Sequence, residues 1–277
     1  MLNRASKPFV KLVEKYLPDP YIFVLLLTLI TLVFAVVIQD QSPLTTVQQW
    51  GDGFWGLLTF SMQMLLVLVT GFMLACTPLV KTLLENLARL AKGPGSAIVL
   101  VTLVSLTASW INWGFGLVVG ALFAKALARK VSVDYRLLVA SAYSGFIVWH
   151  GGLAGSVPLT IATPGHFSEA QIGVVSTSET IFSGFNLLLL AIMFVVIPLV
   201  NRLMLPPKSE SVIVDSTKLQ DDALPSAENE RPADKLENSK ALGLLVGFAG
   251  LAYLTNYFVS GGGLNLNIVN TLFLFLA

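Results

Sequence analysis

The sequence predicts an all-α, polytopic transmembrane protein, and three observations carry that expectation. Hydrophobic residues make up 55% of the 277-residue chain and charged residues only 12%, against ~25% charged in a typical soluble domain. The apolar residues gather into runs of roughly 20, long enough for helices across a ~30 Å hydrocarbon core. All 17 Lys and Arg fall in four clusters, at 4–15, 81–92, 125–136 and 202–240. The polar stretches between them, 39–53, 163–180 and 260–267, hold none, although they carry Asp40, Asp52, Glu169 and Glu179. This is a positive-inside bias, and it assigns the basic clusters, the N-terminus included, to the cytoplasmic side of a multi-pass protein. The net charge of +1 is divided by membrane side rather than pooled into a patch, which argues against nucleic acid as a partner.

Residues 1–20 are polar and basic, and no small-residue cleavage pattern follows the first apolar run, so the start does not read as a cleavable signal. Leu17-Pro18-Asp19-Pro20 is a rigid turn with Tyr21 as an interfacial anchor. Residues 21–38 then run outward as the first span. Residues 43–53 form an external loop, with Trp50 and Trp55 placed like an outer aromatic belt. Residues 54–76 return inward. Within that span Gln63 is expected to hydrogen-bond a neighbouring helix, and the sole cysteine, Cys76, to fill apolar space.

Residues 96–124 are 29 uncharged residues flanked on both sides by basic, hence cytoplasmic, segments. Two full crossings would need about 40 residues, and one crossing would put the two basic flanks on opposite sides. The expectation is a re-entrant hairpin whose turn falls at 109–116, where polar residues and glycines interrupt the run. The rival arrangement makes Trp110 and Trp113 an outer belt over two short spans. Residues 137–149 start outward as a helix, and the glycines and proline of 150–158 break it before the apolar pattern resumes at 159–162. The stretch 137–163 is therefore a discontinuous helix broken near mid-depth.

Residues 181–203 cross back inward, closing a first transmembrane unit over 1–203. Residues 206–239 form a charged, Pro- and Ser-rich cytoplasmic linker, partly disordered by composition. A further helix over 241–259 runs outward, Gly261-Gly262-Gly263 turns the chain, and a new apolar run is only about ten residues long when it stops at Ala277. The 241–277 stretch is read as a connecting helix and the start of another unit, and the chain as part of a longer protein that would not transport by itself.

Irregular backbone inside a membrane is tolerated where protein or a water-filled cavity covers it. Two such interruptions in one small protein imply a shared polar pocket. Half-helix N-termini would offer N–H groups to an anion, and freed carbonyls could hold a cation. The candidate substrate-binding residues are Ser109, Asn112, Gly114, Gly116, Gly151, Gly152, Gly155 and Ser156. No Asp, Glu, Lys or Arg lies within the proposed membrane regions, so an anion would be held by dipoles and by hydroxyl or amide donors. His150 is the one titratable side chain at a break, and a structural hydrogen-bonding role fits it better than proton relay. No metal site is expected from His150 and His166, and no catalytic constellation is evident.

The motifs Trp50-Gly51-Asp52-Gly53-Phe54-Trp55, Ile111-Asn112-Trp113-Gly114-Phe115-Gly116-Leu117-Val118-Val119-Gly120, Gly151-Gly152-Leu153-Ala154-Gly155-Ser156 and Ala162-Thr163-Pro164-Gly165 resemble those of the bacterial short-chain fatty acid transporter family (AtoE type). Leu17-Pro18-Asp19-Pro20 and Phe182-Ser183-Gly184-Phe185-Asn186 are similar as well, so the resemblance covers essentially the whole chain. It implies a non-enzymatic carrier of short monocarboxylates such as acetoacetate or butyrate in a bacterial inner membrane, within the broader ion-transporter superfamily. Members of that superfamily use two inverted repeats, each with a re-entrant hairpin and a broken helix. The present chain would hold the first repeat. No resident cofactor is implied; a coupling ion, Na⁺ or H⁺, stays open, as does a homo-oligomer. The alternatives are a carrier of another organic anion and a non-transporting membrane scaffold. A membrane-embedded hydrolase would need an acid to orient its base, and none is evident.

Overall fold

A computed structural model describes residues 2–215, 219 and 239–276. Among these the regular structure is helical. Six helices are long and apolar enough to cross a membrane: Pro20–Val37, Leu58–Ala75, Pro94–Ile111, the interrupted Tyr135–Ile161, Gly184–Leu203 and Lys240–Val259. Charge enters these six only as Arg136, Arg202 and Lys240, each within two residues of a helix end. The protein is thus a multi-pass, all-α membrane protein. The chain divides into two compact units, Met1–Met62 and Gln63–Ala277.

The first unit opens with α1 (Leu2–Tyr16) and continues into α2 (Pro20–Val37). Asp19 caps α2 by accepting from Tyr21 N at 2.8 Å, and Pro20 occupies the first helical turn, where its missing N–H costs nothing. None of the α2 residues is buried, as suits a helix surrounded by lipid. Residues 43–53, expected as an external loop, are folded as a helix, α3 (Pro43–Gly53). The cause is local: Ser42 accepts from Thr45 N at 3.1 Å and Pro43 opens the first turn. Trp50 of α3 packs edge to face on Phe54, and Phe54 on Trp55, with centroids 5.8 and 5.2 Å apart.

The boundary between the units falls within α4 (Leu58–Ala75). The second unit continues with α5 (Pro78–Ala88), capped by Thr77, then α6 (Pro94–Ile111) and α7 (Trp113–Lys130). The broken helix follows as α8 (Tyr135–Ser144), a 3-10 segment (Gly145–Gly151) and α9 (Ser156–Ile161). After the single-turn α10 (Glu169–Ile172) come α11 (Gly184–Leu203), α12 (Lys240–Val259) and α13 (Leu266–Leu276).

The packed core of this unit is the α6–α7 hairpin. Ile98, Phe123, Leu127 and Leu138 are fully buried and join Val80, Leu84 and Val101 in one apolar cluster. Eight of the 18 residues of α6 are buried, against three of 20 in α11 and two of 20 in α12. The hairpin is therefore an interior element, with α11 and α12 turned mostly outward. Polar side chains fasten it. Asn201 of α11 donates through Nδ2 to Thr102 Oγ1 at 3.1 Å and to Ser144 Oγ at 2.8 Å, tying α11 to both α6 and α8. Gln63 donates to Asn267 Oδ1 at 2.5 Å, an interhelical bond between α4 and α13.

At the base of the hairpin, Asp134 is buried and accepts from Leu137 N at 2.9 Å, Val212 N at 2.8 Å and Arg136 Nη2 at 2.9 Å. Tyr135 N returns a bond to Val212 O at 2.8 Å. Burial alone would raise the carboxyl's pKa. The Arg136 guanidinium and the two backbone donors outweigh it, and the pKa falls below the usual value. This clamp orders the first part of the 206–239 linker; residues 216–218 and 220–238 lie outside the described residues. Beyond α12, Gly261 turns the chain at φ +83, and Tyr257 OH donates to Gly263 O at 3.0 Å.

Candidate functional site

The site is built where the hairpin turn meets the broken helix. A single residue, Asn112, joins α6 to α7. It sits in extended backbone (φ −154, ψ 126), its N–H donates to Ala108 O at 2.9 Å, and its Oδ1 accepts from Phe115 N at 3.0 Å. One side chain thus ends one helix and caps the next. The two helices together occupy 94–130, with Lys125, Arg129 and Lys130 in the last turns of α7. Each 18-residue arm is ~27 Å long.

Close backbone approach explains the small residues at this tip. A Cβ on Gly116 would overlap Ser109, so the two arms touch there. A Cβ on Gly114 would lie 2.8 Å from Leu68 Cα, which brings the start of α7 onto α4.

The second interruption begins earlier than the glycine motif suggested. The α-helix ends at Ser144, and residues 145–151 tighten into a 3-10 turn before the chain extends and re-enters helix at Ser156. A Cβ on Gly145 would lie 2.6 Å from Leu106 N, so the chain lies close against α6 where the α-helix gives way to the 3-10 turn. Gly151 O accepts from Asn186 Nδ2 at 3.0 Å. A Cβ on Gly152 would lie 2.9 Å from Trp110 Cα, and one on Gly155 would lie 2.6 Å from His150 O. Leu153 N donates to Trp110 O at 2.7 Å, which joins the break directly to the hairpin tip. Ser156 Oγ accepts from Trp149 Nε1 at 3.2 Å and contacts Met64 Sδ at 3.1 Å, so its hydroxyl serves the scaffold.

Asn112 and Ser109 are buried, yet Asn112 Nδ2 and Ser109 Oγ have no hydrogen-bond partner among the described residues. Trp113 Nε1 and Ser141 Oγ share that condition. An unmade bond on a buried donor costs about 1–3 kcal/mol, and Ser109, Asn112 and Trp113 lie within five residues of one another at the hairpin tip. Beside them Trp113, Phe146 and Trp149 form an aromatic cluster with centroids 4.8 to 6.2 Å apart. His150 stacks on Trp149 at 4.2 Å. His166 is held by Gly173 O and Ser168 N at 3.0 and 3.2 Å. Among the described residues no group of His, Cys, Asp and Glu is arranged to hold a metal.

The junction therefore gathers Ser109, Asn112, Gly114, Gly116 and Gly152 closely, with Gly151, Gly155 and Ser156 along the same break. Sequence reasoning missed the Trp113 Nε1 donor and Asn186. Both stood in quoted motifs, but only the fold shows that Trp113 Nε1 is buried without a partner among the described residues and that Asn186 holds Gly151.

The sequence that builds this architecture matches one family along its length. The sequence signature of the Short chain fatty acid transporter family matches residues 1–277. The chain belongs to that family. It is 44% identical over 281 residues to a protein of Escherichia coli (strain K12) and 40% identical over 286 residues to one of Haemophilus influenzae (strain Rd), both provisionally named short-chain fatty acid transporters. The matches cover 99% of this chain but 63% and 64% of those relatives, so the chain spans somewhat less than two thirds of their length. No solved structure matches. The family is one of membrane transporters and not of enzymes.

Proposed function

We propose that the complete protein is a secondary transporter that carries short-chain monocarboxylates, of the acetoacetate and butyrate class, across the bacterial inner membrane by alternating access. The chain supplies one half of the translocation site. The observation that carries this reading is the set of unpartnered buried donors, Ser109 Oγ, Asn112 Nδ2 and Trp113 Nε1, beside the aromatic cluster of Trp113, Phe146 and Trp149. A carboxylate takes the donors, and a short alkyl chain takes the rings. Pockets of this kind combine an apolar wall with a few converging polar groups.

The hairpin is read as re-entrant, opening to the cytoplasm, with the chain's N-terminus on the same side. Supporting this, the charge-free part of α7, residues 113–124, is only ~18 Å long. Basic residues flank both arms at 81–92 and 125–136. In this reading the hairpin and broken helix move against the flanking spans, and a second, inverted repeat completes the site. With no carboxylate within the spans described here, the driving cation, Na⁺ or H⁺, would meet carbonyls and hydroxyls in this half.

The test is uptake of radiolabelled butyrate and acetoacetate by the complete protein in proteoliposomes, with imposed Na⁺ or H⁺ gradients. Saturable uptake competed by short monocarboxylates and not by succinate supports the proposal, and the effective gradient identifies the coupling ion. Preferential uptake of a dicarboxylate, or none under either gradient, contradicts it.

A further inference from the structure

Ahead of the first span lies a helix whose two faces differ sharply in chemistry. In α1, Lys7, Lys11 and Lys15 recur every four residues and fall within about 80° of arc. Phe9, Leu12, Val13 and Tyr16 fall within about 100° on the opposite side. Those four apolar residues are 69%, 58%, 47% and 67% exposed. Over residues 2–16 there are four basic residues and one acid. A soluble helix does not leave such a stripe in water, since burying each large apolar side chain is favourable.

We propose that α1 is an interfacial helix that lies on the membrane surface, its apolar stripe sunk among the acyl-chain ends and its lysines on anionic phosphate headgroups. The occupant of the stripe is lipid and not a protein, for two reasons on the chain itself. Only three residues separate Tyr16 from α2, a span with no buried residue. The link therefore reaches at most about 14 Å, which holds α1 at the bilayer surface. The charge is complementary as well: lysines flanking an apolar face match an anionic leaflet, and the positive-inside bias puts them on the leaflet where such lipids attract them. Lys15 Nζ sits 5.2 Å from the Tyr16 ring centroid, at the border where an aromatic ring and an ammonium group both meet headgroups. The proposal rests on the membrane architecture and not on the transport reading.

The experiment places a spin label on the full chain, in a Cys76→Ser background, at Phe9→Cys or at Lys11→Cys. The protein is reconstituted in phosphatidylcholine alone or with about one-third phosphatidylglycerol, and collision with oxygen is compared with collision with a water-soluble nickel chelate. The expected result is a label at position 9 that favours oxygen and a label at position 11 that favours nickel. Each lysine contributes about fivefold to surface attraction. Adding Lys7→Gln and Lys15→Gln should then lower the embedded-to-free ratio at position 9 by about tenfold or more in the anionic vesicles. A position-9 label open to nickel in both compositions would overturn the proposal. So would one shielded from both reagents, because protein would then cover the stripe.

Discussion

The main-chain N–H of Leu153 donates to the carbonyl of Trp110 at 2.7 Å. This bond ties the last turn of α6 to the extended stretch between the 3-10 turn and α9, so the hairpin tip and the broken helix meet as backbone against backbone. Both interruptions are thereby packed against protein. Among the described residues, Ser109 Oγ, Asn112 Nδ2 and Trp113 Nε1 are left there without a hydrogen-bond partner.

That contact makes Gly152 a sensitive glycine of the break. A Cβ there would stand 2.9 Å from Trp110 Cα and 3.0 Å from Trp110 C, atoms that cannot rotate away. Gly152→Ala should destabilise the protein by about 1–3 kcal/mol, the usual cost of overpacking. It should also abolish uptake by the complete protein. Gly263→Ala, where nothing lies within 4 Å, should leave both unchanged. Thermal unfolding in detergent and proteoliposome uptake measure the pair.

Asn201 predicts a smaller and purely structural effect. Its amide bridges Thr102 and Ser144, and interhelical polar contacts in membranes are worth about 0.6 kcal/mol on average. Replacing it with Leu should lower stability by roughly 1 kcal/mol. Substrate affinity at any residual activity should not change, which a KM measurement checks.

The Asp134 clamp gives a pH dependence with a definite sign. Its pKa is depressed in the folded protein, so the clamp's stabilisation is present above the ordinary carboxylate range and is lost as pH falls through the lowered value. Asp134→Asn should destabilise the protein by about 1–3 kcal/mol at neutral pH, the cost of unsatisfied buried partners. The difference from wild type should shrink towards acid. Urea unfolding of both proteins between neutral pH and about pH 3 would show two parallel curves if the clamp were idle.

Much of this was legible in the residues. The long apolar runs read as spans because length and charge exclusion are one-dimensional signals. Asn112 and the glycines of 151–155 stood out because polar and flexible residues interrupt those runs. The short helices α3 and α5 were also written locally, in Ser42-Pro43 and Thr77-Pro78, but an apolar-run reading passes over caps. The start of the second break was not legible. The α-helix ends at Ser144, where Gly145 lies against Leu106, a contact between residues 39 positions apart. Likewise nothing in the sequence pairs Asn186 with Gly151 or leaves Ser141 without a partner; those follow from packing alone.

The most direct test of the substrate site is butyrate uptake by the complete protein carrying Asn112→Asp. Aspartate keeps the oxygen that caps α7 at Phe115 N, and so preserves the turn, while it replaces the unpartnered Nδ2 donor with a second acceptor. If that donor receives the carboxylate, the variant loses at least about tenfold in kcat/KM, the equivalent of one hydrogen bond to a charged group, while the carboxylate buried at this position also lowers the thermal midpoint. Wild-type uptake by a normally folded Asn112→Asp protein would contradict the account and move the substrate away from the hairpin tip.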